Sequence, residues 1–79
     1  MHYYKISQPV PGKGDAWVYY ECDDTFAIQR QMTVIPATGE VDGVPKPHEK
    51  KMTNMAYMTK SSEEEFSSHW SDEHVKDVA

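Results

Sequence analysis

The chain is short of most of what enzymes and secreted mini-proteins of its size rely on, beginning with cysteine: Cys22 stands alone among 79 residues. No intramolecular disulfide can form, so a fold this small must hold on its hydrophobic core, a metal or a second copy of itself. A lone cysteine in a strand-like stretch reads as a small buried apolar side chain, and a single thiol fits a reducing, cytoplasmic setting. Long apolar runs are missing too. Nothing approaches the roughly 18–20 residues that cross a bilayer, and the opening MHYYKISQPVPGKG holds no signal-peptide core, so no membrane is expected as a partner.

Positive charge is also scarce. Eight Lys and Arg face thirteen Asp and Glu, a formal charge of −5. A phosphate backbone would be repelled unless the cations were clustered on one face. The densest positive stretch, Lys46 to Lys51, contains Glu49 and is interrupted by Pro47, so it reads as a solvated loop and argues against nucleic acid as a partner. An acidic domain suits a protein with a basic surface, such as a nuclease or toxin. The same charge also serves plain solubility.

Catalytic and metal-binding constellations are absent from the pattern. The histidines at 2, 48, 69 and 74 have no zinc-finger or H-E-x-x-H spacing. His69 and Glu73 would share a helical face as an ordinary ion pair. Met52, Met55 and Met58 would line up as thioether ligands only on a helix, and core filling accounts for them more simply. Gly12-Lys13-Gly14 lacks the helix and the Ser or Thr of a phosphate-binding loop. Asp23 and Asp24 are adjacent in a turn-forming stretch and point apart, so they do not form an acid/base couple. The expectation is a non-enzymatic protein with no cofactor and no metal.

What is present is alternating apolar sequence. Ala16 to Ile35 reads as two strands joined at Cys22-Asp23-Asp24-Thr25. In the first, Trp17 and Tyr19 face one way and Val18, Tyr20 and Cys22 the other, which leaves room for one aromatic face to stay exposed. In the second, Phe26, Ile28, Met32 and Val34 share a face that Arg30 interrupts. A charge in that register must snorkel, pair with a carboxylate or mark a bulge; pairing with Glu21 or Asp23 across the hairpin is the plain account, and an interface anchor the functional one. His2 to Ser7 reads as a further strand, with Tyr4 and Ile6 opposite Tyr3 and Lys5. Gln8 to Asp15 reads as a loop, because Pro9, Pro11, Gly12 and Gly14 break the pattern. Pro36, Thr38-Gly39 and Asp42-Gly43 predict a smaller hairpin over Met32 to Val44, and Met52 to Thr59 reads as a strand with helix as the alternative.

Near the C-terminus, Ser62 and Glu65 form a capping-box pair, with Ser61 and Glu64 as the adjacent register. Three glutamates suit the positive end of a helix dipole. Phe66 and Trp70, four apart, fall on one face able to dock on the sheet, and Ser71 to His74 resembles a second cap. The expectation is one domain over residues 1–79 of class α+β: a small antiparallel sheet of about four strands packed by one C-terminal helix.

Tyr20-Glu21, the acidic pair Asp23-Asp24, Arg30, Gly39 and Ser62-x-Glu64-Glu65-Phe66-x-x-x-Trp70 together resemble the pattern of a family of small bacterial domains of unknown function. Gln31, where that family carries a second basic residue, and Val44 to Pro47 depart from it. Such domains look like the small immunity or inhibitor proteins of bacterial competition systems. The resemblance and the charge together imply a stoichiometric inhibitor of the toxin-immunity or phage anti-defence (anti-CRISPR) type. Its partner-binding residues are expected to be Tyr3, Trp17, Tyr19, Tyr20, Glu21, Asp23, Asp24 and Arg30. The alternative is an assembly subunit that pairs with its own copy through the sheet, as a homodimer or larger oligomer.

Overall fold

A computed structural model describes residues 1–44, 51–52 and 55–70. Its centre is a five-stranded sheet in the order β4-β3-β2-β1-β5, one strand more than expected. The strands are β1 (His2–Val10), β2 (Gly14–Cys22), β3 (Ile28–Ile35), β4 (Glu40–Val44) and the two-residue β5 (Thr59–Lys60). All neighbours are antiparallel. A helix, α1 (Glu63–His69), follows β5.

Residues 8–15 form a hairpin rather than the expected loop, with Gln8, Pro9 and Val10 paired to Ala16, Asp15 and Gly14. The chain reverses over Pro11-Gly12-Lys13, where Gly12 and Gly14 take φ of 78° and 85°. Pro9 fits inside β1 because β5 reaches only Tyr4 and Lys5, which leaves this half of β1 at the sheet edge, where a missing N–H breaks no ladder.

The β2–β3 turn takes in Phe26, which the alternation had placed in the following strand. Phe26 N–H donates to Asp23 O and Asp23 N–H to Ala27 O, while Phe26 takes a left-handed φ of 64°. This is a tight turn closed by a left-handed residue, where glycine is usual. The Asp23 carboxylate secures it by accepting from Thr25 N–H, Thr25 Oγ1 and Ala27 N–H, and the Phe26 ring stacks on His2 with centroids 5.2 Å apart. The register then slips. Cys22 pairs with Ile28 but Glu21 with Arg30, so Gln29 is the extra residue of a bulge. Because side chains alternate with a period of two, this inserted residue separates Ile28 from Met32 and Val34, which the sequence had placed on one face.

The sheet therefore carries two small cores. On one face Val18, Tyr20, Cys22, Ile28 and Met52 are buried, with Tyr4, Ile6, Phe26, Met55 and Met58 packed against them. Lys51 bridges Ala27 at one side of the sheet, and β5 pairs with β1 at the other. The described residues of the segment Met52 to Thr59 form neither the expected strand nor a full helix: Met55–Tyr57 make a 3₁₀ turn and Thr59 opens β5, while residues 53–54 lie outside the described residues. Methionine suits this irregular cover because an unbranched chain adapts to uneven gaps.

The other face holds Tyr19, Met32, Val34 and Phe66, flanked by Tyr3, Trp17, Val41 and Trp70. This face is covered by α1, starting at the predicted cap: Ser62 accepts from Glu65 N–H at 3.1 Å. The capping box is only half made. Instead of returning to Ser62, the Glu65 carboxylate accepts from Lys5 Nζ at 2.7 Å and Ser61 Oγ at 2.6 Å, which ties the helix to β1. Ser62→Ala is expected to cost about 1 kcal/mol in urea unfolding; an unchanged midpoint would show that the tie to Lys5, rather than the cap, sets the start of α1. The readings made for the Pro-rich stretch 45–50, Glu73 and the second cap lie outside the described residues.

Candidate protein-binding site

The eight residues expected to bind a partner are not brought to one surface. Tyr19 is 3% exposed, Tyr20 8% and Glu21 7%, and the two tyrosines lie on opposite faces of the sheet, each in its own core. Alternation dictates this, since consecutive strand residues cannot share a face. Burial thus removes Tyr19, Tyr20 and Glu21 from any surface the folded monomer presents. Trp17 is half-buried beside Lys5, whose Nζ lies 4.8 Å from its ring centroid, so the expected open aromatic face is covered by α1 and by a lysine.

Tyr3, Glu21 and Arg30 do meet. They form one network beneath α1. Arg30 donates through Nε and Nη2 to the two Glu21 oxygens at 2.8 and 2.6 Å, and Tyr3 Oη donates to Glu21 at 2.7 Å. The cross-strand pair expected for Arg30 is therefore present, and it is bidentate. The guanidinium carbon also lies 4.8 Å from the Phe66 ring and 4.7 Å from the Trp70 ring. These two rings stack with centroids 5.6 Å apart. A planar, weakly hydrated guanidinium is suited to this double role, which an ammonium could not fill.

Protonation follows the network. The hydrogen bonds from Arg30 chiefly hold the Glu21 carboxyl below its ordinary range, against the opposing effect of burial. Burial and the Glu21 carboxylate push Tyr3 up to about 12. Burial, with Asp23 and Glu21 nearby, pushes the Cys22 thiol up to about 11, so this 0%-exposed sulfur stays a protonated core group with little nucleophilic thiolate. Every buried side-chain nitrogen and oxygen among the described residues has a hydrogen-bond partner. Among these residues no group of three or more His, Cys, Asp or Glu is placed to hold a metal ion, and no helix is long and apolar enough to cross a membrane.

Trp70 docks on the sheet as its spacing from Phe66 predicts, but its contact with Gly43 was not visible in the sequence. Its ring lies against Gly43 of β4; a Cβ there would sit 2.9 Å from Cζ3. Gly43→Ala is expected to displace the indole and destabilise the fold by about 1–2 kcal/mol, read from the Trp70 indole N–H resonance and urea unfolding. An unmoved resonance would mean that α1 does not depend on this close approach.

What remains accessible of the expected set is Asp24, with a side chain 91% exposed, and the partly exposed edges of Tyr3, Asp23, Trp17 and Arg30. Asp24 lies 3.3 Å from His2 at the β2–β3 end of the sheet. A groove of about 380 Å³ opens nearby, lined by Met1 to Tyr4 and Lys60 to Glu63. His2, Lys60 and Ser61 were not among the expected residues. Only the pairing of β5 with β1 brings them together, and no local signal marks that pairing.

The chain matches no protein-family model, and no curated protein and no solved structure is significantly similar to it.

Proposed function

We propose that this chain is a non-enzymatic protein-binding inhibitor, of the toxin-immunity or phage anti-defence kind, which occludes a basic effector by direct contact in the cytoplasm. The observation that carries the reading is the division of charge. The cations Arg30 and Lys5 are engaged inside the fold by Glu21 and Glu65, whereas Asp15, Asp24, Glu63 and Glu64 face solvent. The chain carries a formal charge of −5, and among the described residues exposed Asp15, Asp24, Glu40, Glu63 and Glu64 outnumber exposed Lys13, Lys51 and Lys60, so the surface left for an encounter is net negative. Such a surface raises association rates with a cationic partner and disfavours acidic competitors. Two cores on one sheet also provide a preorganised body, which lowers the ordering cost of binding.

The test is affinity capture with the full chain as bait from lysates carrying competitor toxins and phage-defence effectors, with mass spectrometry of what is retained. One effector, recovered at one-to-one stoichiometry and released by salt, is the expected result. Recovery of the bait alone as a defined oligomer would replace inhibition with the assembly reading, in which the sheet pairs with its own copy.

A further inference from the structure

The sequence sets Met52, Met55 and Met58 three residues apart, a spacing that aligns them only on a helix-like turn. The fold supplies such a turn. Met58 N–H donates to Met55 O at 3.0 Å, closing the 3₁₀ turn over Met55–Tyr57. A 3₁₀ turn takes three residues, so side chains at i and i+3 stack on the same side. Met55 and Met58 accordingly pack against one core cluster, while Ala56 and Tyr57 between them are exposed. Met52 is a buried member of that same cluster, and its N–H donates to Phe26 O at 2.8 Å. The other two methionines are elsewhere: Met32 lies in the core of the opposite face, and Met1 is 62% exposed. Beyond filling space, three thioethers on one cluster make a set of soft donors.

We propose that Met52, Met55 and Met58 together hold a soft monovalent cation, copper(I) being the cellular ion of that class. Thioether sulfur selects copper(I) over magnesium, calcium or manganese, which take oxygen ligands. It carries no proton, so the cation enters without displacing one, unlike at a thiol. The surroundings fit the same choice. The cluster includes Val18, Ile28 and the aromatic side chains of Tyr4 and Phe26. Charge in so apolar a setting is costly, and one positive charge costs less than two. The −5 charge of the chain also draws cations from solution. Access follows from burial: Met52 is 7% exposed, whereas Met55 and Met58 are half-buried at the surface, so the set is open to solvent on one side. A bound ion would tie the 3₁₀ turn to the sheet beneath it and stabilise the folded chain.

The test is a titration of the full chain, ¹³C-labelled at the methionine ε-methyl groups, with silver(I) nitrate as a redox-stable substitute for copper(I). The methyl resonances of Met52, Met55 and Met58 are expected to shift together and saturate at one equivalent, with those of Met1 and Met32 unmoved. Met55→Leu and Met58→Leu nearly keep the volume but remove the sulfur. Each should weaken silver binding about tenfold or more, since losing even a group that only supports a ligand costs that much. An unmoved Met32 methyl in each variant would show that the fold is kept. Cys22 lies in the same cluster, so Cys22→Ala is the control and should retain the three shifts. One equivalent of silver should also raise the urea midpoint of the wild type and leave that of the double variant Met55→Leu/Met58→Leu where it was. Silver bound without movement of these methyls, no binding at all, or shifts in Met1 as large as in the other three would overturn the site. So would undiminished binding in both leucine variants, or its loss in a folded Cys22→Ala.

Discussion

Phe66→Ala is expected to abolish cooperative unfolding near 25 °C. Phe66 is 0% exposed and its ring touches those of Tyr3, Tyr19 and Trp70 as well as the Arg30 guanidinium. Truncating a buried phenylalanine to alanine costs about 3–5 kcal/mol through lost transfer and the cavity left behind. A single core in a chain of this size supplies about the same amount in total. No surplus remains, so urea unfolding followed by far-UV dichroism should show a drifting signal without a transition. A sigmoidal curve with a midpoint near that of the wild type would mean that α1 is an ornament on a sheet stable by itself.

Glu21→Gln carries the second large effect. The substitution keeps the shape and removes the charge, leaving Arg30 partly buried between Phe66 and Trp70 without a carboxylate. Removing one partner of a buried pair costs about 3–5 kcal/mol; because the Arg30 side chain is 29% exposed, solvent screening reduces the expected loss to about 2–3 kcal/mol. The double variant Glu21→Gln/Arg30→Met should be more stable than Glu21→Gln alone, since no unpaired charge remains. If it is less stable, the coupling drawn from the bidentate geometry is wrong.

The acid limb of stability has the same origin. The folded chain holds the Glu21 carboxyl below its ordinary value of 4.5, mainly through Arg30, and holds Glu65 low through Lys5 and then Ser61. Depressed folded values mean that the unfolded chain binds protons first as pH falls. The stabilisation is complete above about pH 4.5 and is lost progressively below it, as pH passes through the folded values. Tyr3 acts in the opposite sense. Its folded value is raised from 10.0 to about 12, so the stability it provides is present below pH 10 and declines as pH rises through that interval. Urea midpoints measured against pH should fall at both ends, and Glu21→Gln should flatten the acid side.

Where the signal was local, the sequence could be read. The Ser62 cap, the Phe66/Trp70 docking face and the β3–β4 hairpin all follow from a few neighbouring residues whose chemistry favours one backbone arrangement. The pairing of Arg30 with Glu21 was legible for a similar reason, since a charge in an apolar stripe must find a carboxylate close by.

The misreadings came from decisions made at a distance. Pro9 could remain in β1 only because β5, some fifty residues on, stops at Tyr4 and Lys5. Phe26 occupies a position where glycine is usual, and His2 and Tyr4 from another strand pack its ring. The bulge at Gln29 exchanged the face of Ile28, a change of one residue that leaves composition and alternation almost untouched. For the same reason the partner-binding set divided: a list of aromatic and charged residues along β2 says nothing about which face a helix will cover.

By itself the sequence determined the class α+β, the position of the closing helix, the ion pair across the β2–β3 hairpin and the acidic balance of the surface, because each depends on side-chain chemistry within one or two turns or across one hairpin. Only the tertiary structure decided that β5 completes the sheet, that both faces carry a core, that Tyr19, Tyr20 and Glu21 are inside it, and that β4 is left at the rim. Those outcomes depend on which apolar surfaces meet after the chain has folded back, and burial is shared between segments that carry no mark of one another.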